Sequence, residues 1–128
     1  AAIGYCFGGT TALEIARSGA PVKGVVSFHG ALGTPTPADA TNIKGAVLVC
    51  HGAVDPFVPE KEVADFKKEM DTAKVNYTFI AYPGAVHSFT NPDVDRHKLN
   101  GAKYNEAAAE KSWIDMKAFF AEAFKWKQ

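Results

Sequence analysis

Three side chains of this sequence could together activate a nucleophile: the Cys6 thiol, the His87 imidazole and the Asp55 carboxylate. A free thiol titrates near about 8.5, so only about a few per cent is thiolate at neutral pH. An imidazole can take its proton, and a carboxylate can hold that imidazole in the correct tautomer and stabilise the imidazolium. The setting of Cys6 suits a nucleophile. The run Gly4-Tyr5-Cys6-Phe7-Gly8-Gly9 follows the apolar stub Ala1-Ala2-Ile3 and precedes the helix-forming stretch Thr11 to Arg17. Gly-x-nucleophile-x-Gly between a strand and a helix is the pattern of a nucleophile elbow. Such a turn is tight, so its flanking positions are expected to be glycine. The N-terminus of the helix that follows adds partial positive charge favouring thiolate. The backbone N–H of Phe7 would be one oxyanion donor, and the second would come from a loop earlier than this sequence reaches.

The elements that must position these groups alternate between strand and helix. A helix over Thr11 to Ser18 stops at Gly19 with Pro21 beyond. Gly24–Phe28 and Ala46–Cys50 are short continuous apolar runs, as in parallel strands covered on both faces. Pro59 to Lys74 reads as a helix with Val63, Phe66, Met70 and Ala73 on one face. Asn76 to Tyr82 reads as a strand. A loop from Pro83 to about Lys103 follows, and a last helix near Asn105 to Lys125 is expected to bury Trp113, Met116, Phe120 and Ala123 or Phe124. The stretch Gly33 to Asp39 reads as a surface connection with at most a short helix. The alternation predicts a parallel sheet of about four strands with flanking helices. Reactive groups should then gather at the carboxyl ends of the strands. Cys6, Asp55 and His87 each fall just past a different strand, in the order nucleophile, Asp, His of an α/β hydrolase. In that fold the elbow sits mid-chain, so residues 1–128 read as one domain corresponding to its second half.

Each residue also has a plainer reading. Cys6 could be a small buried hydrophobe, Asp55 a helix cap for the helix near Pro59, and His87 an ordinary loop histidine. Cys50 reads as core. His29 and His51, at strand ends before glycines, read as shaping a turn or pocket wall. His97 reads as solvated. Phe57 and Phe89 read as pocket lining or packing.

Taken together, Gly4-Tyr5-Cys6-Phe7-Gly8-Gly9, His51-Gly52-Ala53-Val54-Asp55-Pro56-Phe57-Val58-Pro59 and Tyr82-Pro83-Gly84-Ala85-Val86-His87-Ser88-Phe89 resemble the dienelactone hydrolase family. Phe89-Thr90-Asn91-Pro92 and the segment from Tyr104 to Trp113 add to the likeness, which spans essentially the whole chain. The resemblance implies an α/β hydrolase acting on lactones and related esters without a metal or other cofactor. It matches Cys6, His87 and Asp55 to a Cys-His-Asp triad. Family chains are roughly twice as long, and their other half holds the early strands, the second oxyanion loop and an acidic partner of the resting thiol. Dienelactone-cleaving members place an Arg four residues after the histidine. Asn91 stands there in this sequence, and Arg96 is the arginine that could take that place.

Composition narrows the alternatives. Lys plus Arg number 14 and Asp plus Glu 14, so the net charge is zero. No basic stripe suggests nucleic acid, and no apolar run is long enough to span a bilayer. Two cysteines are too few for a disulfide framework, which fits a reducing, cytoplasmic setting. Two functions remain open: a thiol-dependent hydrolase of small ester or lactone substrates, or a catalytically silent half-domain acting as an oligomeric or interaction module. The strand stub at Ala1-Ala2-Ile3 would be a sheet edge, so a homodimer or other self-association through that edge is expected in either case.

Overall fold

The computed structural model describes residues 1–125, so the last three residues of the expected 1–128 domain lie outside the described ones. Four strands run parallel in the order β1-β2-β3-β4: Ala2–Tyr5 (β1), Gly24–Phe28 (β2), Ala46–Gly52 (β3) and Tyr77–Tyr82 (β4). The helices Phe7–Arg17 (α1), Glu60–Thr72 (α2) and Glu106–Ala123 (α3) connect or follow them. Short 3₁₀ turns at Pro37–Asn42 and Val94–His97 punctuate the two long loops. This is the parallel α/β arrangement expected.

Strand residues alternate between two cores, because successive side chains leave opposite faces of a sheet. Val25, Val47 and Val49 pack with Leu13 and Ala16 of α1 and with Phe66 and Met70 of α2. Val26, Phe28, Leu48 and Cys50 pack with Tyr82, Phe89, and Ala108 and Met116 of α3. Both faces are covered, which is why these strands are apolar throughout rather than alternating.

Two expectations need correction. Helix α1 starts at Phe7, directly after Cys6, four residues earlier than its composition suggests. Gly8 and Gly9 are poor helix formers, but close packing under the turn overrides that preference. A Cβ on Gly9 would meet Ser27 Oγ at 2.5 Å. Trp113 is not core: it is 50% exposed. The sheet-facing line of α3 runs Ala108, Ser112, Met116, and Trp113 lies about 100° around the helix from Ser112. Phe119 and Phe120 are half-buried against the second core. The helix is capped by Asn105, whose side chain accepts from the Ala108 N–H at 3.1 Å, and ends at Ala123 rather than Lys125.

The loop after β2 is held by side chains from both neighbouring helices. Thr10 Oγ1 donates to Ala31 O at 3.0 Å. Arg17 Nη2 donates to Leu32 O at 3.0 Å, and Leu32 N donates to Glu62 Oε2 at 3.0 Å. Arg17 is itself buried and forks onto Glu69, with Nε–Oε2 at 2.7 Å and Nη2–Oε1 at 2.8 Å.

Candidate active site

Register brings the reactive residues together. Tyr5 pairs with Phe28, and Phe28 with Cys50. One step beyond these pairs, Cys6 stands beside His29: Cys6 N donates to Phe28 O at 3.0 Å, and His29 N donates to Cys50 O at 2.9 Å. Cys6 occupies the cap position of α1 with φ 56° and ψ −123°. The turn is as tight there as the glycine pattern suggests, though unevenly. A Cβ on Gly4 would lie 1.8 Å from Gly8 O, whereas a Cβ on Gly8 would meet open space. Gly4 is therefore the position that must lack a side chain.

The Cys6 sulfur lies 3.1 Å from Ser88 Oγ and 3.4 Å from His29 Nδ1. Cys6, His29 and Ser88 all have positive φ, at 56°, 41° and 57°. Non-glycine residues rarely adopt this region, and such strain gathers at functional sites. His87 follows β4 and is half-buried, and its Nδ1 lies 3.2 Å from Asp55 Oδ2. The Asp55 side chain is fully buried, and its other oxygen accepts from Phe57 N at 2.9 Å. Asp55 does not cap α2, whose cap position is Pro59. Phe57 packs edge-on against the His87 ring at 5.2 Å between centroids.

Electrostatics set the thiol and the imidazole apart. The Cys6 thiol is held down to about 5, chiefly by hydrogen bonding to His29 and next to His87, against a smaller opposing effect of burial. The His87 imidazole is raised to about 9, chiefly by Asp55 and next by Cys6. At neutral pH the favoured pair is thus thiolate and imidazolium. The direct hydrogen-bond partners of the sulfur are His29 and Ser88, and His87 acts on its proton affinity from beside them. The Phe7 N–H stands at the first position of α1, where a helix leaves its donors without an intrahelical acceptor.

The remaining sequence candidates fall elsewhere. Cys50 is buried and pushed up to about 12 by burial, which makes it an inert core thiol. His51 is buried against Phe79, and burial lowers its pKa. Phe89 is fully buried in the second core, edge-on to His29. His97 is exposed, as expected. Asn91 serves its own turn, accepting from Asp93 N at 2.9 Å. Arg96 is exposed and 3.9 Å from Asp93. No cluster of three or more metal-ligating side chains occurs among the described residues. No helix among them is long and apolar enough to cross a membrane. Sequence reasoning gave His29 only a wall or turn role. The signal that would have found it is register, since it follows its strand as Cys6 follows the neighbouring one.

The model of the dienelactone hydrolase family matches residues 1–124. The chain belongs to this family. Among solved structures, a dienelactone hydrolase-like promiscuous phosphotriesterase, P91, from metagenomic libraries is 41% identical with a TM-score of 0.89. The match covers 94% of this chain and 51% of P91. Another, m3DLH, is 45% identical with a TM-score of 0.91, over 96% of this chain and 51% of its own. An uncharacterized protein of Caenorhabditis elegans is 33% identical over 128 residues, covering 96% of this chain and 79% of its own. The dienelactone hydrolase-family chain described here therefore spans about half the length of the two solved relatives.

Proposed function

We propose that this chain carries the reactive centre of a thiol-dependent hydrolase of lactones and carboxylic esters. The observation that carries the reading is geometric: Cys6 stands in the tight turn that opens α1, and His87 Nδ1 is held 3.2 Å from the buried Asp55 carboxylate, an arrangement that also pulls the thiol down and pushes the imidazole up. Cys6 is the nucleophile, His87 the acid and base, Asp55 its orienter and Phe7 N–H an oxyanion donor. The thiolate attacks the ester carbonyl carbon, and the carbonyl π electrons move onto oxygen. Collapse breaks the bond to the leaving oxygen, which takes the proton from His87, leaving a thioester on Cys6. Neutral His87 then deprotonates a water that attacks the thioester, and the sulfur leaves as thiolate with His87 protonated again. Placement in the cytoplasm is part of the proposal, since a reducing compartment keeps this thiol free.

Loss of one oxyanion donor typically costs about 10²–10³ in rate. The Phe7 N–H is assigned as one such donor. The test is hydrolysis of 4-nitrophenyl acetate by this chain beside Cys6→Ala. Turnover abolished in the variant supports the reading, and equal background rates overturn it. Because P91 is described as a phosphotriesterase, a phosphotriester is the second substrate to assay.

A second reading, a silent module that assembles with other chains, is favoured by a different observation. β1 is an edge of the sheet, and Ile3 and Tyr5 on it and Phe7 just beyond it are exposed.

A further inference from the structure

His29 is fixed more tightly than a pocket wall requires. The residue is 1% exposed and both ring nitrogens are engaged: Nδ1 at 3.4 Å from the Cys6 sulfur and Nε2 at 2.8 Å from Thr90 Oγ1. The ring sits edge-on to Phe89 at 4.9 Å and to His87 at 5.6 Å. Its backbone is held at φ 41°. The loop beyond is pinned at Ala31 O, Leu32 N and Leu32 O by Thr10, Glu62 and Arg17. Two helices thus stabilise an unfavourable backbone conformation whose visible result is an imidazole nitrogen on the sulfur.

We infer that His29 is a further catalytic residue: its Nδ1–H donates a hydrogen bond to the Cys6 thiolate, and the Thr90 hydroxyl, donating to Nε2, fixes the tautomer that makes this possible. The inference rests on Cys6 being the nucleophile. Only one arrangement of protons lets a neutral imidazole donate from Nδ1, namely Nε2 accepting from the Thr90 O–H. The thiol proton goes to His87, which keeps it for the leaving group. His29 gives up no proton and so holds the thiolate throughout the resting state without competing with His87. The titratable groups acting on the sulfur are His29, from the end of β2, and His87, from the loop after β4, with Asp55 behind His87. The Ser88 hydroxyl is a second, weaker influence in the same direction.

The experiment is the pH dependence of Cys6 alkylation by iodoacetamide, with site and stoichiometry read by mass spectrometry. Cys50 is buried and stays protonated, so it contributes no signal. A hydrogen bond to a charged group is worth about one to two pH units here. His29→Leu should move the alkylation midpoint up by about that much. His29→Asn should rescue it, because an Asn amide nitrogen reaches the place of Nδ1 and Asn tolerates positive φ. Thr90→Val should shift the midpoint upward by less than His29→Leu, because the tautomer is no longer fixed. A His29→Leu midpoint equal to the parent's, or a His29→Asn midpoint as high as that of His29→Leu, overturns the inference. Should His29→Leu fail to fold, an unshifted Thr90→Val midpoint overturns it instead. None of these readings needs ester turnover. A chain that hydrolyses nothing can still show the shift, and a hydrolase can lack it, so the two proposals fail separately.

Discussion

At the scale of single residues, the site sets thiolate formation and proton donation at opposite ends of the pH range. The thiol, held down to about 5, is ionised above that pH. The imidazole, raised to about 9, keeps its proton below that pH. A reaction needing both should be fastest between the two, with kcat/KM falling about tenfold per pH unit outside them. The choice of substrate separates the limbs. A lactone expels a poor alkoxide that must be protonated, so its kcat/KM should show both limbs. A 4-nitrophenyl ester expels a stable phenolate that needs no acid, so only the limb near 5 should remain. Measuring both profiles checks the assignment. An acid limb near 8 would mean that Cys6 is an ordinary thiol, and an alkaline limb retained with the phenolate would mean that His87 is not the acid.

At the scale of elements, the buried fork of Arg17 on Glu69 ties α1 to α2 and both to the loop carrying His29. Removing one partner of a buried ion pair leaves an uncompensated charge and costs about 3–5 kcal/mol. Arg17→Met should therefore lower the unfolding free energy from urea titration by that amount, seen as a lower midpoint with the m-value little changed. A change below about 1 kcal/mol would place this pair with surface pairs that contribute little. This network was invisible in the sequence, because Arg17 lies on one helix and Glu62 and Glu69 on another, with no shared motif or spacing. What was legible was local and periodic: apolar runs that became β2 and β3, the Val63, Phe66, Met70 face of α2, and the order of Cys6, Asp55 and His87 after three strands. What was not legible depends on partners distant in sequence. The early start of α1 needs the packing of Gly9 on Ser27, and the exposure of Trp113 needs the roll of α3 on the sheet. The approach of His29 to Cys6 needs the β1–β2 register.

At the scale of the whole molecule, the sheet's open side adjoins the chemistry. Among the described residues β1 pairs only with β2, which leaves its other edge without a strand partner. Ile3 is 47% exposed, and Phe7, one residue past the cysteine, is 84% exposed. An edge strand with apolar side chains is a template for pairing with another strand. A second copy can offer the same strand about a two-fold axis, which covers both edges at once. Light scattering of this chain should therefore give a dimer mass. Ile3→Lys, a charge on the edge, should return it to a monomer without changing its circular dichroism. A clean monomer at the highest soluble concentration would remove self-association from the account. Pairing at this edge would set the second copy beside the strand that leads into Cys6 and the exposed Phe7. If the dimer contributes to the site, the rate per chain should rise with chain concentration in the parent but not in Ile3→Lys.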